Sequence, residues 1–341
     1  MTQPELAQEW TRIIAPTTAD VRTELVREAA EFLGIPIDES WRRLRGAGDR
    51  FREQWLNTVT NPSDPERLIQ FYNQSDTELF ELIEWHANDP IHYRTLIVRD
   101  LAIDRPGRSY LDYGSGIGND AMVLAGAGFD VTVADISDVL LAFAAWRLRR
   151  RGYSVRTIDL KRESLPSDGF DLVACFDVLE HIPRPLNVVR NIRAALRANG
   201  LLAMHAPFAE DPEHPMHVVH RDVVTPRMRS LGFQPIDCRF PSFVRAPQMF
   251  EKQAITLIER AGYFVYDTYL NNAFGVPLAA LWRRAYRQTV PASEDESIVL
   301  AGCAAANRSS FEASASGFEA SASGVEASAS KPSGPQLPSK N

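Results

Sequence analysis

The chain has 341 residues, 45% of them hydrophobic and 24% charged, and a formal net charge of −7. Its length fits one large catalytic domain with an extension or two modest domains, and its mild acidity provides no global field for nucleic acid or an anionic membrane. Three scattered cysteines (Cys175, Cys238, Cys303), no basic and apolar leader at the N-terminus and no apolar run near 18 residues predict a cytoplasmic protein with no disulfide framework and neither membrane nor nucleic acid as partner.

Residues 1–104 read as a helical N-terminal cap. "TADVRTELVREAAEFLG" (Thr18 to Gly34) starts at a threonine, spaces its apolar residues helically and closes on a glycine suited to C′. "DESWRRLRGAGDRFREQWLNTV" continues the pattern, and "SDTELFELIEWHA" follows with Ser75 as expected N-cap. Pro62, Pro65 and Pro90 punctuate the series. Over residues 105–304 the texture changes. "SYLDYG", "DVTVAD", "YSVRTID", "FDLVACFD" and "GLLAMHAP" are short β-rich runs, with helices expected from Asn119, Val139 and Pro185. That alternation predicts an α/β fold with a doubly wound, mostly parallel sheet, and the continuous apolar character fits strands covered on both faces. Beyond Pro207 the pattern predicts a His-rich loop, a helix "VTPRMRSLGF" and a strand "FQPIDCRF". A helix around Gln248 to Ala261 and a late antiparallel strand "YFVYDTYL" complete the domain. Residues 305–341 carry three heptads, "SFEASAS", "GFEASAS" and "GVEASAS". Each has one large apolar residue, too little for a coiled-coil seam, so this tail is expected to be disordered.

"LDYGSGIGND" (Leu111 to Asp120) carries the chemistry. An acid ends the first strand, and glycines at every second position lead into a helix. Such a loop lets a ligand approach the backbone at the carboxyl end of the sheet, or it is a turn kept small for packing. Gly116 to Ala121 also satisfies the dinucleotide form GxGxxA. Three further acids weigh against that reading. Asp135 ends the second strand, where a carboxylate can accept two ribose hydroxyls. Asp159 ends the third, and Asp177 opens "DVLEHIP" after the fourth.

From about Ser109 to Gln234 the chain resembles the class I S-adenosylmethionine-dependent methyltransferases, particularly the small-molecule type similar to quinone-biosynthesis enzymes. The resemblance implies a Rossmann-like fold with S-adenosylmethionine as cofactor. It implies that Asp112, Gly114, Gly116 and Gly118 hold the methionine part. Asp135 with Ile136 would hold the ribose, Asp159 with Leu160 would face adenine, and Asp177 would line the methyl-donor side. "LRANGLLAMHAP" departs from the family pattern, with Ala198-Asn199 where Pro-Gly is usual.

Methyl transfer is an in-line displacement with a neutral leaving group, so alignment and water exclusion dominate, and a base is needed only when the acceptor must lose a proton. "HPMHVVHRD" spaces His214, His217 and His220 three apart after His205 on strand five. His217, His220 and His181 are the candidate catalytic residues. Asp211, Glu213 and Asp222 lie among these histidines, but His at i and i+6 diverge by about 120° on a helix, and no metal is expected. In the cap, Phe80, Leu82 and Trp85 read as buried contacts, leaving Tyr72, His86, His92, Tyr93 and Arg94 to face a ligand. Cap and His loop together are expected to form the acceptor pocket, with neither needed to hold adenosine. The basic run Arg147 to Arg151 reads as a solvated helix end. The expected function is methyl transfer to a small-molecule acceptor. The alternatives are a protein or peptide acceptor, or a non-catalytic cofactor-binding subunit. The acceptor atom and the oligomeric state are left open.

Overall fold

A computed structural model describes residues 2–208, 214–218, 224–236 and 247–267. His220 and the heptad tail lie outside the described residues. Among those described, seven α-helices precede the first strand: α1 (Gln3–Ile14), α2 (Val21–Leu33), α3 (Ile37–Leu44), α4 (Ala47–Thr58), α5 (Pro65–Tyr72), α6 (Thr77–Asn88) and, after a 3₁₀ turn at Pro90–Tyr93, α7 (Arg94–Ala102). Helix α2 starts three residues later than Thr18 because Asp20 is its cap, accepting the Thr23 N–H at 2.7 Å. It ends where expected, on Gly34 with φ 65°. The second helical stretch is cut in two at Gly46, which is left-handed at φ 64°. Asp76, not Ser75, is the N-cap residue of α6, although the Ser75 hydroxyl accepts the Thr77 N–H at 3.3 Å.

The α/β part then runs β1 (Ser109–Tyr113), α8 (Asn119–Gly126), β2 (Asp130–Asp135), α9 (Asp138–Arg150), β3 (Val155–Asp159), β4 (Phe170–Phe176), α10 (Pro185–Ala195), β5 (Leu196–His205), α11 (Val224–Arg227), β6 (Phe233–Ile236), β7 (Gln248–Lys252) and α12 (Leu257–Val265). The sheet order is β3-β2-β1-β4-β5-β7-β6. Strands β1 to β5 are parallel, and β7 is antiparallel to both neighbours. Strand order reverses at β1, so the carboxyl ends of β1, β2 and β4 open the crevice where ligands sit in such sheets. Alternate residues of β4 serve opposite faces: Leu172 and Ala174 join the core beneath α1, α2, α8 and α9, while Val173 and Cys175 join the core beneath α10.

Two C-terminal expectations are reversed. Gln248–Lys252 is a strand, because it inserts between β5 and β6 with Phe250 opposite Leu202. Tyr263–Val265, within the expected strand, is helical, because Thr256 and Glu259 form a capping box that starts α12 at Leu257; residues 268–270 of that stretch lie outside the described residues. The departure at Ala198-Asn199 is absorbed locally. Asn199 takes φ 60°, a conformation asparagine tolerates better than most side chains.

The basic run is only partly a solvated face: Arg149 and Arg150 are exposed, while Arg147 and Arg151 turn inward. Arg147 is fully buried: Nε meets Glu28 at 2.7 Å, and Nη1 donates to the Ile117 carbonyl at 2.5 Å and to Asn119 Oδ1 at 2.7 Å. Arg151 reaches Glu28 at 2.8 Å and the Ile13 and Ile14 carbonyls. The cause is on α2, whose buried face carries Glu24 and Glu28. Among the described residues no helix is long and apolar enough to cross a membrane.

Candidate active site

The glycine loop folds across the end of β2, the Gly114 and Ser115 N–H groups both donating to the Ala134 carbonyl. Packing accounts for two of its glycines. Both are left-handed, and a Cβ would lie 2.3 Å from the Val178 side chain at Gly114 and 2.8 Å from Ala144 of α9 at Gly118. Gly116 faces Leu82 of α6. Asp112 is buried and accepts the Ala121 N–H at 3.0 Å, which ties β1 to the first turn of α8. Its carboxylate therefore fixes the loop.

At the end of β2, Asp135 Oδ2 accepts the Gly116 N–H at 3.0 Å and Oδ1 the Ser137 N–H at 2.9 Å. Burial raises its pKa against these bonds. The next loop is clamped from two directions. The Ile136 carbonyl accepts from Asn73 Nδ2 at 3.0 Å and from Lys161 Nζ at 2.7 Å, and Asn73 Oδ1 accepts the Asp138 N–H at 2.9 Å. The Ile136 side chain packs on Phe51, Trp55, Phe71 and Tyr72 of the cap, with Met216. The cap thus touches the loop that follows β2. Asp159 faces Lys161 at 3.0 Å and Arg162 at 3.1 Å. Its own burial opposes ionisation, but these cations prevail and lower its pKa. Leu160 is half-buried, its N–H donating to the Asp135 carbonyl at 3.1 Å.

One strand further along, Asp177 has φ 54°, and its N–H donates to the His205 carbonyl. Its carboxylate accepts from Arg94 Nη2 and, at 2.6 Å, pairs with His205 Nδ1. Burial opposes the charge on Asp177, yet Arg94 and His205 together lower its pKa to about 2. Arg94 is 2% exposed and stands over the Phe176 ring at 4.2 Å.

The His loop docks on the 3₁₀ turn Leu179–His181. The Val218 N–H donates to the Glu180 carbonyl at 2.8 Å, and His181 Nδ1 lies 3.2 Å from the Met216 carbonyl. The rings of His181 and His217 meet edge to face at 5.1 Å. Burial, then the neighbouring His217, lowers the His181 pKa to about 4, while burial and Asp177 push Glu180 up to about 9. Ligand-capable atoms of Glu180, His181 and His217 lie within 4.8 Å of one another, a donor set that could hold a divalent cation. It differs from the grouping weighed in the sequence, of which Asp211, Glu213, His220 and Asp222 lie outside the described residues.

The cap residues expected to face a ligand are largely packed. His92 is fully buried, stacked on His86 at 3.7 Å and edge-on to Trp85. Tyr72 belongs to the aromatic cluster, and Tyr93 packs on Trp10. His86 lies 3.1 Å from Asn119 of the loop helix, and burial lowers its pKa to about 3. Phe80 is buried as expected; Leu82 and Trp85 are half-buried. A cavity of about 840 Å³ along α2 and the end of α9 is lined by Glu24, Glu28, Arg150 and Arg151. It shares no residue with the glycine loop and is a seam of ion pairs.

Sequence reasoning did not find Asn73, Lys161, Arg94 as a partner of Asp177, or His205 as the other. Lys161 alone had a local signal, a cation two residues beyond a strand-end acid.

The chain is 28% identical over 153 residues to the ubiquinone biosynthesis O-methyltransferase of Histophilus somni, covering 41% of this chain and 62% of that protein. It is 33% identical over 118 residues to the enzyme of the same name from Bordetella avium, covering 34% and 48%. The chain thus spans between about half and just under two thirds of the length of these curated relatives. A solved 1,6-didemethyltoxoflavin-N1-methyltransferase from Burkholderia thailandensis, with 1,6-didemethyltoxoflavin and S-adenosylhomocysteine bound, is 22% identical. The match covers 50% of this chain and 81% of that one, with a TM-score of 0.40. The sequence profile of the methyltransferase-domain family matches residues 85–266, more than half of the chain, and the protein belongs to that family.

Proposed function

We propose that this protein binds S-adenosylmethionine at the carboxyl ends of β1 and β2 and transfers its methyl group to a small-molecule acceptor, in the cytoplasm. The observation that carries the reading is the join between Asp135 and the Gly116 N–H at 3.0 Å. It brings an acid at the end of β2 onto the glycine loop. In this reading Gly114, Gly116 and Gly118 border the methionine part, and Asp112 acts by fixing that loop. Asp135 and Ile136 take the ribose. Asp159 and Leu160 face adenine, with Lys161 bridging the two loops. Asp177 borders the reacting methyl. When bound, the cofactor supplies an electrophilic carbon; the chain's own part is to align the acceptor and exclude water.

His181 and His217 border the acceptor. His181 resists protonation, so it serves as a neutral wall and hydrogen-bond partner. The 1–104 cap covers the crevice, and the similarity to two ubiquinone biosynthesis O-methyltransferases favours an acceptor oxygen. Calorimetry with S-adenosylmethionine, S-adenosylhomocysteine and NAD tests the reading: the first two should bind and NAD should not. Methyl transfer from labelled S-adenosylmethionine to an extract sieved by size then separates small-molecule from protein acceptors. Cofactor binding without any transfer would favour a non-catalytic subunit.

A further inference from the structure

We propose that His205, held by Asp177 and backed by Arg94, is the base that takes the acceptor's proton during methyl transfer. The inference rests on the methyltransferase reading above and goes beyond it by assigning the proton's destination.

Three elements converge on one carboxylate. Asp177 follows β4, His205 ends β5 beside Phe176, and Arg94 begins α7. Asp177 stays ionised between an arginine and an imidazole, and an ionised carboxylate only accepts hydrogen bonds. The proton shared with His205 at 2.6 Å therefore belongs to Nδ1. In the neutral ring that leaves Nε2 bare, as an acceptor. A carboxylate on Nδ1 both fixes this tautomer and stabilises the imidazolium that forms when Nε2 gains a proton. His205 is a fifth exposed, whereas Arg94 behind it is sealed at 2%. The imidazole thus has an open side and the guanidinium has none. The left-handed backbone at Asp177 is unusual for a residue with a side chain, and such conformations collect at functional sites.

The step balances. The acceptor heteroatom forms its bond to the methyl carbon, the carbon–sulfur bond breaks with its electron pair passing to sulfur, and the acceptor's proton moves to His205 Nε2. One positive charge is lost at sulfur and one appears on the imidazole. Asp120, Glu180 and His86 act on both members of the Arg94–Asp177 pair, and His92, Tyr110, Cys175 and His181 act on one of them.

Two measurements on the full chain test the assignment. Imidazole nitrogen NMR with S-adenosylhomocysteine bound should show His205 protonated on Nδ1 and bare on Nε2 at neutral pH. A proton on Nε2 instead would overturn it, whether or not any acceptor is known. The second uses labelled S-adenosylmethionine with the small-molecule fraction of a cell extract. His205→Asn should slow transfer by about 100-fold or more, the range of general-base catalysis, while S-adenosylmethionine affinity stays within twofold. Its rate should also lose the fall at low pH that marks a titrating base and rise with pH as the acceptor ionises by itself. Asp177→Asn tests the support by abolishing the Nδ1 preference. Transfer within threefold of wild type in His205→Asn, with an unchanged pH profile, would assign the histidine a structural role. Failure of the wild type to transfer at all would instead strike the methyltransferase reading, leaving the NMR result to judge the dyad.

Discussion

Around the glycine loop, the acids Asp112 and Asp135 meet backbone N–H groups of Ala121, Gly116 and Ser137; around Asp177 the partners are side chains from α7 and β5. The first arrangement depends on strand ends and turns, which tolerate many neighbours. The second depends on which residues happen to meet across the fold. A backbone-built end suits a ligand that does not vary, and a side-chain-built end can be reshaped for a particular acceptor without disturbing the first.

The comparison breaks most readily at Arg147, a side chain that supports the backbone-built end. Arg147→Met leaves Glu28 buried without its closest cation. It should cost about 3–5 kcal/mol of stability in urea unfolding, the range for breaking a buried pair. Adding Glu28→Gln should recover part of that loss, and a single variant as stable as wild type would show that the pair is replaceable. Next in size is Asp135→Ala. Losing a charged hydrogen-bond partner should weaken S-adenosylmethionine by at least tenfold in calorimetry, about 1.5–3 kcal/mol, while leaving proton transfer at the other end intact. Unchanged affinity in the folded variant would remove Asp135 from the ribose.

A third probe is pH. His86 is held near 3, well below its value of about 6.5 in an unfolded chain. Between those values the unfolded state binds the extra proton, so stability rises with pH in this window and is lost as pH falls below about 6.5. The slope should reach about 1.4 kcal/mol per pH unit for this histidine. His86→Gln should flatten it in urea midpoints taken from pH 7.5 down to 5, and an identical slope would mean that other groups carry the acid lability. The smallest effect is expected at Asn73. Removing its two bonds to the 136–138 loop with Asn73→Ala should weaken cofactor binding by a few-fold, about 1 kcal/mol. An effect as large as that of Asp135→Ala would mean that the cap, and not the strand end, shapes the adenosine side.

The same contrast governs what could be read from sequence. The parallel strands, the glycine loop and Asp135 were legible because their signals are local: an apolar run, a strand-end acid, glycines at fixed spacing. The dyad was not, because Arg94 and Asp177 lie 83 residues apart and His205 another 28, and no periodicity encodes such meetings. Cap aromatics such as His92 looked ligand-facing because a histidine in sequence reads as polar, whereas stacking on His86 and Trp85 buries it. Strand β7 was missed for a related reason. Five residues with one apolar pair resemble a helix face until β5 and β6 claim them from both sides. The structure also shows that the arginine run at the end of α9 has its explanation more than a hundred residues upstream, on α2.

That upstream partner bears on how such enzymes can be recombined. The family profile begins at residue 85, yet Glu28, well before it, grips the arginine that also holds the Ile117 carbonyl and Asn119 inside the glycine loop. A chimera joining this sheet to N-terminal helices without an acid at the position of Glu28 would leave Arg147 unmatched in the seam, and the glycine loop would be the part to loosen. Grafts should therefore exchange Glu28 and Arg147 as a pair, or replace both with apolar residues of matching volume, before any new cap is asked to select a new acceptor.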